Sequence, residues 1–364
     1  MATKFLLEQA ILGPRVQLPI SEQRYKEIAH AREVLSEALT FEQRYELLLG
    51  NFISLELSFT EICLRSAVEP EYRYPEMAET LRQANRHVVN VLTAMRGYAD
   101  QVPQDFKCLQ RPRKFAQLAK AELVKLFERS PDYRFLCGLR NHVQHKAEAI
   151  HGWESSETTR EDANGWAEHI RFYARNASLR GDPDFKRRIL DEQPEKIDVR
   201  RCTRRAVHEL GASHIELRKQ VAKEVQNARS TFEAAILDYK NAGAESVVGL
   251  CARRASSQAS STVSVLLNWD DVRVQLVEKN DQPPSLWPRP NHRTPKVEQI
   301  SSLRAQAQHS KAQAAAAIFV SEQRWQDFEE GLAMPEGLFH LYQLQTKLHP
   351  SHRIVRRSAK NKNG

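Results

Sequence analysis

Hydrophobic residues recur every three or four positions through most of the first 150 residues, which is the spacing that gathers them on one side of an α-helix. The pattern predicts five helices, over residues 21–38, 40–69, 75–98, 112–128 and 130–152. Thr40 and Gln43 form a capping-box pattern at the start of the second helix. Ser130 and Pro131 are a typical N-cap and first residue for the fifth. The connections are short, so we expect a helical bundle.

The pattern changes after residue 152. Alternation over residues 169–174 predicts a short strand, and helical spacing returns over 198–241, where Gly211 is a candidate break. Residues 246–251 and 262–277 are β-rich, and we interpret the second stretch as a hairpin that turns at Trp269-Asp270-Asp271. Five prolines between 282 and 295 predict a linker. Helical spacing resumes over residues 295–331 and again over 336–348.

The fold is therefore predicted to be mainly α, with an N-terminal helical bundle and a mixed α/β C-terminal extension. The predicted divisions follow the changes in pattern and are a lead-in (1–20), the helical bundle (21–152), a helical and β-hairpin extension (153–281), a proline-rich linker (282–295) and a C-terminal helical segment with a basic tail (296–364).

The composition of the chain bears on its partners, its location in the cell and its cysteine chemistry. The net charge of +8 favours polyanionic partners, although much of the charge is scattered and the compact basic run at 353–362 is more simply a solvated terminus. No apolar run approaches the roughly 20 residues of a membrane span, and the start lacks the features of a secretory signal. We expect a cytoplasmic protein without membrane contact. The five cysteines form no CxxC pair, which argues against disulfides and a zinc site.

The motifs of nucleotide-triphosphate hydrolysis, dinucleotide binding, zinc proteolysis and serine hydrolysis are missing from the sequence. One stretch on the fifth predicted helix stands out, and its centre is Arg140-Asn141-His142-Val143-Gln144-His145. An arginine followed by a histidine after four to six residues occurs five times in the chain, so this spacing alone is not informative. The Arg140 copy differs because Asn141 follows the arginine and because its helix has a regular apolar face.

This stretch resembles the R-x(4–6)-H signature of the HEPN superfamily, whose members are helical bundles and often metal-independent endoribonucleases. The resemblance covers residues 20–152 and is strong only around the motif. It implies a HEPN-like bundle with Arg140, Asn141 and His145 as catalytic residues. It further implies RNA as substrate, no metal or other cofactor, an antitoxin or regulatory partner, and a role in bacterial stress, toxin–antitoxin or phage-defence systems.

Residue chemistry agrees with that assignment. A histidine exchanges protons near neutral pH, so His145 can act on the RNA 2′-hydroxyl, while the Arg140 guanidinium can hold the phosphate oxygens. Lys146 and Gln144 extend the polar surface and are candidate substrate contacts. On a helix Arg140 and His145 lie about 140° apart. One helix therefore cannot direct both side chains at the same phosphate. Two copies of the chain could supply Arg140 from one and His145 from the other, so we expect a homodimer.

Two other interpretations compete with the nuclease. The same bundle could serve as a non-catalytic dimerisation or nucleotide-binding module, or the chain could be a scaffold whose 198–241 helix pairs with a partner. Two neighbouring features have simpler explanations: His142 lies at the edge of the apolar face and is expected to pack or cap. Glu56 and Glu61 are expected to be exposed carboxylates on a helix flank rather than partners of the motif.

Overall fold

The computed structural model describes residues 3–11, 15–68, 74–109, 111–146, 148–158, 167–255, 260–285, 295, 297–332, 334 and 336–348. The chain divides into two compact units, Met1–Ser285 and Leu286–Gly364. It is mainly helical with a small amount of strand, as the hydrophobic pattern predicts. The basic tail and most of the predicted proline-rich linker lie outside the described residues.

Helices build most of the first unit. α1 runs through its centre and packs against α2, α7 and α8, while α4 packs against α2, α3, α6 and α7. The helices are α1 (Glu22–Val68), α2 (Tyr74–Gln101), α3 (Pro112–Arg129), α4 (Pro131–His145), α5 (Asn176–Arg180), α6 (Arg187–Asp191), α7 (Val199–Asn241) and α8 (Asn268–Lys279).

Two predicted helix breaks do not occur. The expected first and second helices form the single 47-residue α1, because the Thr40 hydroxyl donates to the Ser36 carbonyl (3.0 Å) instead of capping a new helix. Gly211 lies inside α7 without interrupting it. A Cβ at Gly211 would overlap the Tyr45 hydroxyl, so this glycine permits close packing of α7 on α1.

Two small antiparallel sheets complete the first unit. The first has the strand order β2–β1–β6–β7, so the segment predicted as a lead-in is part of a sheet closed by strands 240 residues later. The second has the order β3–β4–β5, and β4 confirms the strand predicted near 169–174. The strands are β1 (Lys4–Gln9), β2 (Gln17–Pro19), β3 (Gly152–Thr158), β4 (Ala167–Arg175), β5 (Lys196–Asp198), β6 (Leu250–Ala255) and β7 (Ser260–Ser264).

The hairpin predicted over residues 262–277 is wrong. β7 ends at Ser264, and the apolar alternation that follows lies on α8. Asp270 and Asp271 are in the first turn of that helix, where negative charge is favourable. The buried Asp270 carboxylate accepts hydrogen bonds from Arg229 on α7 (2.6 Å) and Arg273 (2.6 Å), so a contact across the fold determines the local structure.

The helix predicted to extend to residue 152 ends at His145. The side chain of Asn85 on α2 explains the change, because it accepts from the Ile150 amide (2.8 Å) and donates to the Ile150 carbonyl (3.2 Å). These two bonds occupy backbone groups that a longer helix would use. Gly152 then begins β3, where a Cβ would lie 2.9 Å from the Tyr173 ring.

A polar network lies in the centre of the first unit. The fully buried His214 ring is stacked between Phe41 and Tyr45, with ring centroids 4.3 and 4.2 Å away. Its Nδ1 lies 2.9 Å from the Tyr98 hydroxyl, and its Nε2 lies 3.1 Å from Glu42. Burial lowers the pKa of His214, which favours the neutral ring despite the neighbouring carboxylate.

Glu42 is the charged member of this network. Burial alone would raise its pKa, but hydrogen bonds from His214 and Arg218 lower the pKa overall. Arg218 donates from two nitrogens to the carboxylate, at 2.8 and 2.7 Å. The buried Glu42 is therefore ionised and ties α1 to α7.

By length and composition α1 is apolar enough to cross a membrane, although the sequence pattern predicts no such helix. Core helices of soluble proteins can be equally long and apolar, and α1 packs against three other helices. Only 33% of its most apolar 18-residue window is buried, however, and Leu47, Leu57 and Leu64 are each about two-thirds exposed. The outer face of α1 is therefore an apolar surface of the described unit.

The second unit contains four described helices around the buried Trp325. The predicted helical region 295–331 consists of three of them, separated by residues with left-handed backbone, Gln308 and Phe319 (φ 55° and 59°). The helices are α9 (Val297–Gln306), α10 (Lys311–Ala317), α11 (Glu322–Glu329) and α12 (Glu336–Gln345). Their apolar side chains form a core of their own.

Candidate functional site

The helix that carries the motif starts as the sequence predicts. The Ser130 hydroxyl accepts a hydrogen bond from the Tyr133 amide (3.0 Å), and Pro131 is the first helical residue. Phe135, Leu136 and Leu139 are fully buried and fix the inner face of α4. The start and the apolar face together determine which motif residues point outward.

An open groove of about 800 Å³ lies between α2, α3, α4 and α6, and Arg140 and Asn141 are part of its wall. Three further cationic side chains line it: Arg96, Lys120 and Lys186. Apolar and aromatic side chains form much of the remaining wall, and they are Leu92, Met95, Leu123, Val124, Phe127, Tyr133 and Ile189. A groove with both kinds of surface suits a ligand that combines negative charge with flat apolar groups.

Acidic side chains reduce the positive charge of the groove. The groove is also lined by Asp100, Glu128 and Asp184. Asp100 forms a salt bridge with Arg96, with 2.8 Å between the Arg96 Nε and a carboxylate oxygen. Arg140 has a different environment: within the described part of the chain, its Nη1 donates only to the neighbouring Asn141 side chain (3.3 Å). Its Nε is buried and has no hydrogen-bond partner among the described residues. Buried donors are rarely left unsatisfied, so Arg140 is a cation of the groove wall whose hydrogen-bonding capacity is not used up by the described side chains.

His145 occupies a different place from Arg140. It is the last residue of α4, is exposed, and is not part of the groove wall. Within the described ranges its side chain makes no hydrogen bond or salt bridge. Gln144 and Lys146 are exposed beside it. The structure therefore brings Arg140 and Asn141 together in the groove and leaves His145, Gln144 and Lys146 outside it.

His142 has a specific partner that the sequence did not reveal. Its ring is buried as expected, and its Nδ1 lies 2.7 Å from the Asp182 carboxylate. Hydrogen bonds from His142 and the Asp184 amide lower the pKa of Asp182. The His142 Nε2 is buried without a partner among the described residues. The pair joins α4 to the segment before α6 and so holds the groove wall that contains Arg140.

The two glutamates of α1 do not contact the motif. Glu56 is half-buried and accepts hydrogen bonds from Arg200 (2.7 Å) and Arg204 (2.6 Å) on α7. Glu61 pairs with Arg65 one turn later on the same exposed face. Glu61 is the exposed carboxylate that the sequence predicts, whereas that prediction is wrong for Glu56, because two arginines of α7 hold its carboxylate between the two helices.

Within the ranges that the structure describes, no group of three or more His, Cys, Asp or Glu side chains is arranged to hold a metal ion. The five cysteines are free, and burial raises the pKa of Cys137, in the wall of the groove, to about 11. That thiol is protonated at neutral pH and is a poor nucleophile.

Comparison with known proteins gives no assignment of function. No protein-family model matches the chain, and neither does a curated protein or a solved structure. The function is therefore inferred from the groove and from the two faces of α4, one with Arg140 and Asn141 and the other with His145.

Gly138 allows α4 to approach the segment before α6. A Cβ at this position would lie 2.8 Å from the Phe185 ring, so Gly138→Ala is expected to displace that ring and cost about 1–3 kcal/mol of unfolding free energy. Gly50→Ala on α1 is the matched control, because a Cβ there meets no atom within 4 Å and helix propensity predicts a gain of about 1 kcal/mol. Urea unfolding of both variants measures the difference, and equal effects would contradict the close packing.

Proposed function

We propose that the protein is a metal-independent endoribonuclease of the HEPN type. Its groove holds an RNA phosphate through Arg140 and Asn141, and His145 of a second copy supplies the proton-transferring group. Lys146 and Gln144, exposed beside His145, contact the RNA chain. The observation that carries the proposal is the division of the motif, with Arg140 in a groove and His145 exposed on another face.

The chemistry requires only these groups. His145 removes the proton of the RNA 2′-hydroxyl, whose oxygen attacks the adjacent phosphorus. Arg140 stabilises the additional negative charge on the phosphate oxygens. The bond from phosphorus to the 5′ oxygen breaks, and that oxygen takes up the proton from His145. The products are a 2′,3′-cyclic phosphate and a 5′-hydroxyl.

The proposal includes a biological setting. An RNA-cleaving enzyme inside a cell needs restraint, so we include an antitoxin or regulatory partner in the proposal. We also propose a role in stress or phage defence in the cytoplasm. A homodimer is part of the mechanism, because the site is incomplete in one chain.

A second candidate function is a nucleotide-binding module without catalysis. One observation favours it: the groove contains Arg140, Asn141, three further cations and aromatic side chains within a single chain, and His145 is not needed to complete it. A nucleotide would place its phosphates at the cationic side chains and its base against Phe127. This candidate predicts binding that does not depend on His145.

The test is a cleavage assay in EDTA with labelled single-stranded and tRNA-like RNA. We expect products that end in a 2′,3′-cyclic phosphate, and loss of these products in Arg140→Ala and His145→Ala. Gln43→Ala, an exposed substitution on α1, is the matched control and is expected to cleave normally. Cleavage that survives both motif substitutions would refute the proposed site. Nucleotide binding by a folded, non-cleaving protein, with the same affinity in His145→Ala, would establish the second candidate.

A further inference from the structure

Three consecutive cationic side chains lie beside the groove of the first unit. Lys186, Arg187 and Arg188 follow Phe185 at the start of α6, and all three are exposed. These three side chains are the cationic ridge. Lys186 also belongs to the groove wall that contains Arg140. The ridge therefore continues the cationic surface of the groove beyond its edge.

Neighbouring acids do not neutralise the ridge. Within the described parts of the chain, its three side chains make no hydrogen bond or salt bridge. The two acids at the end of α6 are bound by other arginines, since Asp191 pairs with Arg180 (2.7 Å) and Glu192 pairs with Arg134 (2.5 Å). The stretch from Asp184 to the end of the ridge contains three cations and one acid, so its net charge is +2.

Buried residues on both sides hold the ridge in place. Ile189 and Leu190, the next residues of α6, are buried, and the Asn176 side chain donates to the Leu190 carbonyl (2.8 Å). Phe185, which precedes the ridge, is buried where Gly138 allows α4 to approach. The backbone of the ridge is thus fixed beside the groove, which reduces the entropy that a ligand spanning both would have to overcome.

One further cation lies near the segment that leads into the ridge. Asp182 is buried in that segment, and hydrogen bonds from His142 and the Asp184 amide lower its pKa. The positive charge of Lys146 adds to this lowering, so Lys146 lies close to the same segment. The exposed cation next to the motif and the cationic ridge are therefore neighbouring parts of the surface.

The residue types of this surface indicate which polyanion it fits. Helices that bind lipid surfaces combine cations with an exposed apolar face, whereas Ile189 and Leu190 of α6 are buried. Phosphates of a nucleic-acid chain require only charge and hydrogen-bond donors, and the arginine fork can hold a phosphate at two points. The apolar wall of the groove, which includes Phe127, suits an unpaired base. A single strand can therefore use the groove and the ridge together.

We propose that the cationic ridge binds the phosphates of a single RNA strand that continues from the groove across α6. Arg187 and Arg188 each hold a phosphate of that strand, and Lys186 joins the ridge to the groove. This inference rests on the proposed RNA substrate and assigns three binding residues outside the motif. Contacts with phosphates carry no base information, so the ridge adds affinity without sequence preference.

The test measures the binding of 2′-O-methyl RNA, about twelve nucleotides long, to the full chain in EDTA. This RNA has no free 2′-hydroxyl and is therefore bound without being cleaved. We expect Arg187→Ala with Arg188→Ala to weaken binding roughly tenfold. The slope of log affinity against log salt should become shallower by about 1.4, which corresponds to two phosphate contacts on a single strand. Arg187→Lys with Arg188→Lys keeps both charges and is expected to retain most of the affinity.

Lys240→Ala with Arg254→Ala is the matched control, because it also removes two exposed cations. Lys240 lies near the end of α7, roughly 60 Å along the helix from the end that follows α6 and β5. Arg254 lies on β6, which follows α7 in the chain. This variant is expected to bind the RNA with unchanged affinity and an unchanged salt dependence.

Four results would overturn the proposal: no RNA binding by the wild-type chain, unchanged affinity in the Arg187/Arg188 alanine variant, an equal loss in the control, or a loss with unchanged salt dependence. Thermal unfolding of each variant confirms that it is folded. Binding that depends on the ridge, in a chain that cleaves no RNA, would refute the nuclease alone. Cleavage by wild type, together with unchanged binding in the alanine variant, would refute the ridge alone.

Discussion

An equimolar mixture of Arg140→Ala and His145→Ala chains is expected to recover about a quarter of the wild-type rate of RNA cleavage, although each variant alone is about 10²–10⁴-fold less active. If each site takes Arg140 from one chain and His145 from the other, a mixed dimer has one intact site and one that lacks both groups. Random pairing makes half of the dimers mixed, and each has one of two sites. The measurement is the initial rate after the chains have been unfolded and refolded together.

The control is a mixture of two separately purified Arg140→Ala preparations, treated in the same way, which is expected to stay inactive. A site contained within one chain gives the opposite result, because no chain in the mixture has both residues. Failure of the mixture to cleave, while wild type treated identically does cleave, would therefore contradict the shared site. The experiment tests the separation of Arg140 and His145 on α4 directly.

Glu42→Ala is expected to cost about 3–5 kcal/mol of unfolding free energy. The substitution leaves the Arg218 guanidinium without its carboxylate and the His214 Nε2 without its partner, in a part of the core where water does not replace them. It also removes one of the polar links between α1 and α7, the two longest helices of the first unit, and leaves the link through Glu56 in place. Urea unfolding followed by circular dichroism measures the loss.

Glu61→Ala on the same helix is the matched control. Glu61 also bonds an arginine, Arg65, but both side chains are exposed, and exposed ion pairs contribute at most about 1 kcal/mol. We therefore expect Glu61→Ala to change the unfolding free energy by less than that amount. Similar losses for the two variants would show that burial of Glu42 has no special role.

Local signals in the sequence were sufficient to predict the position of most of the helices. Ser130 and Pro131 determine where α4 begins, and the apolar spacing of Phe135, Leu136 and Leu139 determines its buried face. The wide angular separation of Arg140 and His145 follows from helix geometry alone, and the structure has them on different surfaces. These features depend on neighbouring residues, which is why periodicity reveals them.

Contacts between distant residues could not be predicted in this way. The groove beside Arg140 is formed by side chains of four helices, and Asp182 meets His142 across 40 residues of sequence. Asp270 looked like a turn residue because its partner Arg229 lies 41 residues earlier. Helical spacing also does not reveal whether Thr40 caps a new helix or continues the old one, since both use the same residue type.

The pairing of β1 with β6 has a consequence for the newly made chain. Leu250–Ala255, the strand partner of Lys4–Gln9, is synthesised about 240 residues after it, and the Arg253 side chain that pairs with Glu8 arrives with that partner. At about 5–20 residues per second, this delay is roughly 10–50 seconds. During that interval the N-terminal strand has an open hydrogen-bonding edge next to the apolar α1. An open strand edge can pair with other chains, so a chain truncated before residue 250, in which β1 keeps only β2 as its neighbour, is expected to aggregate more readily than the full chain.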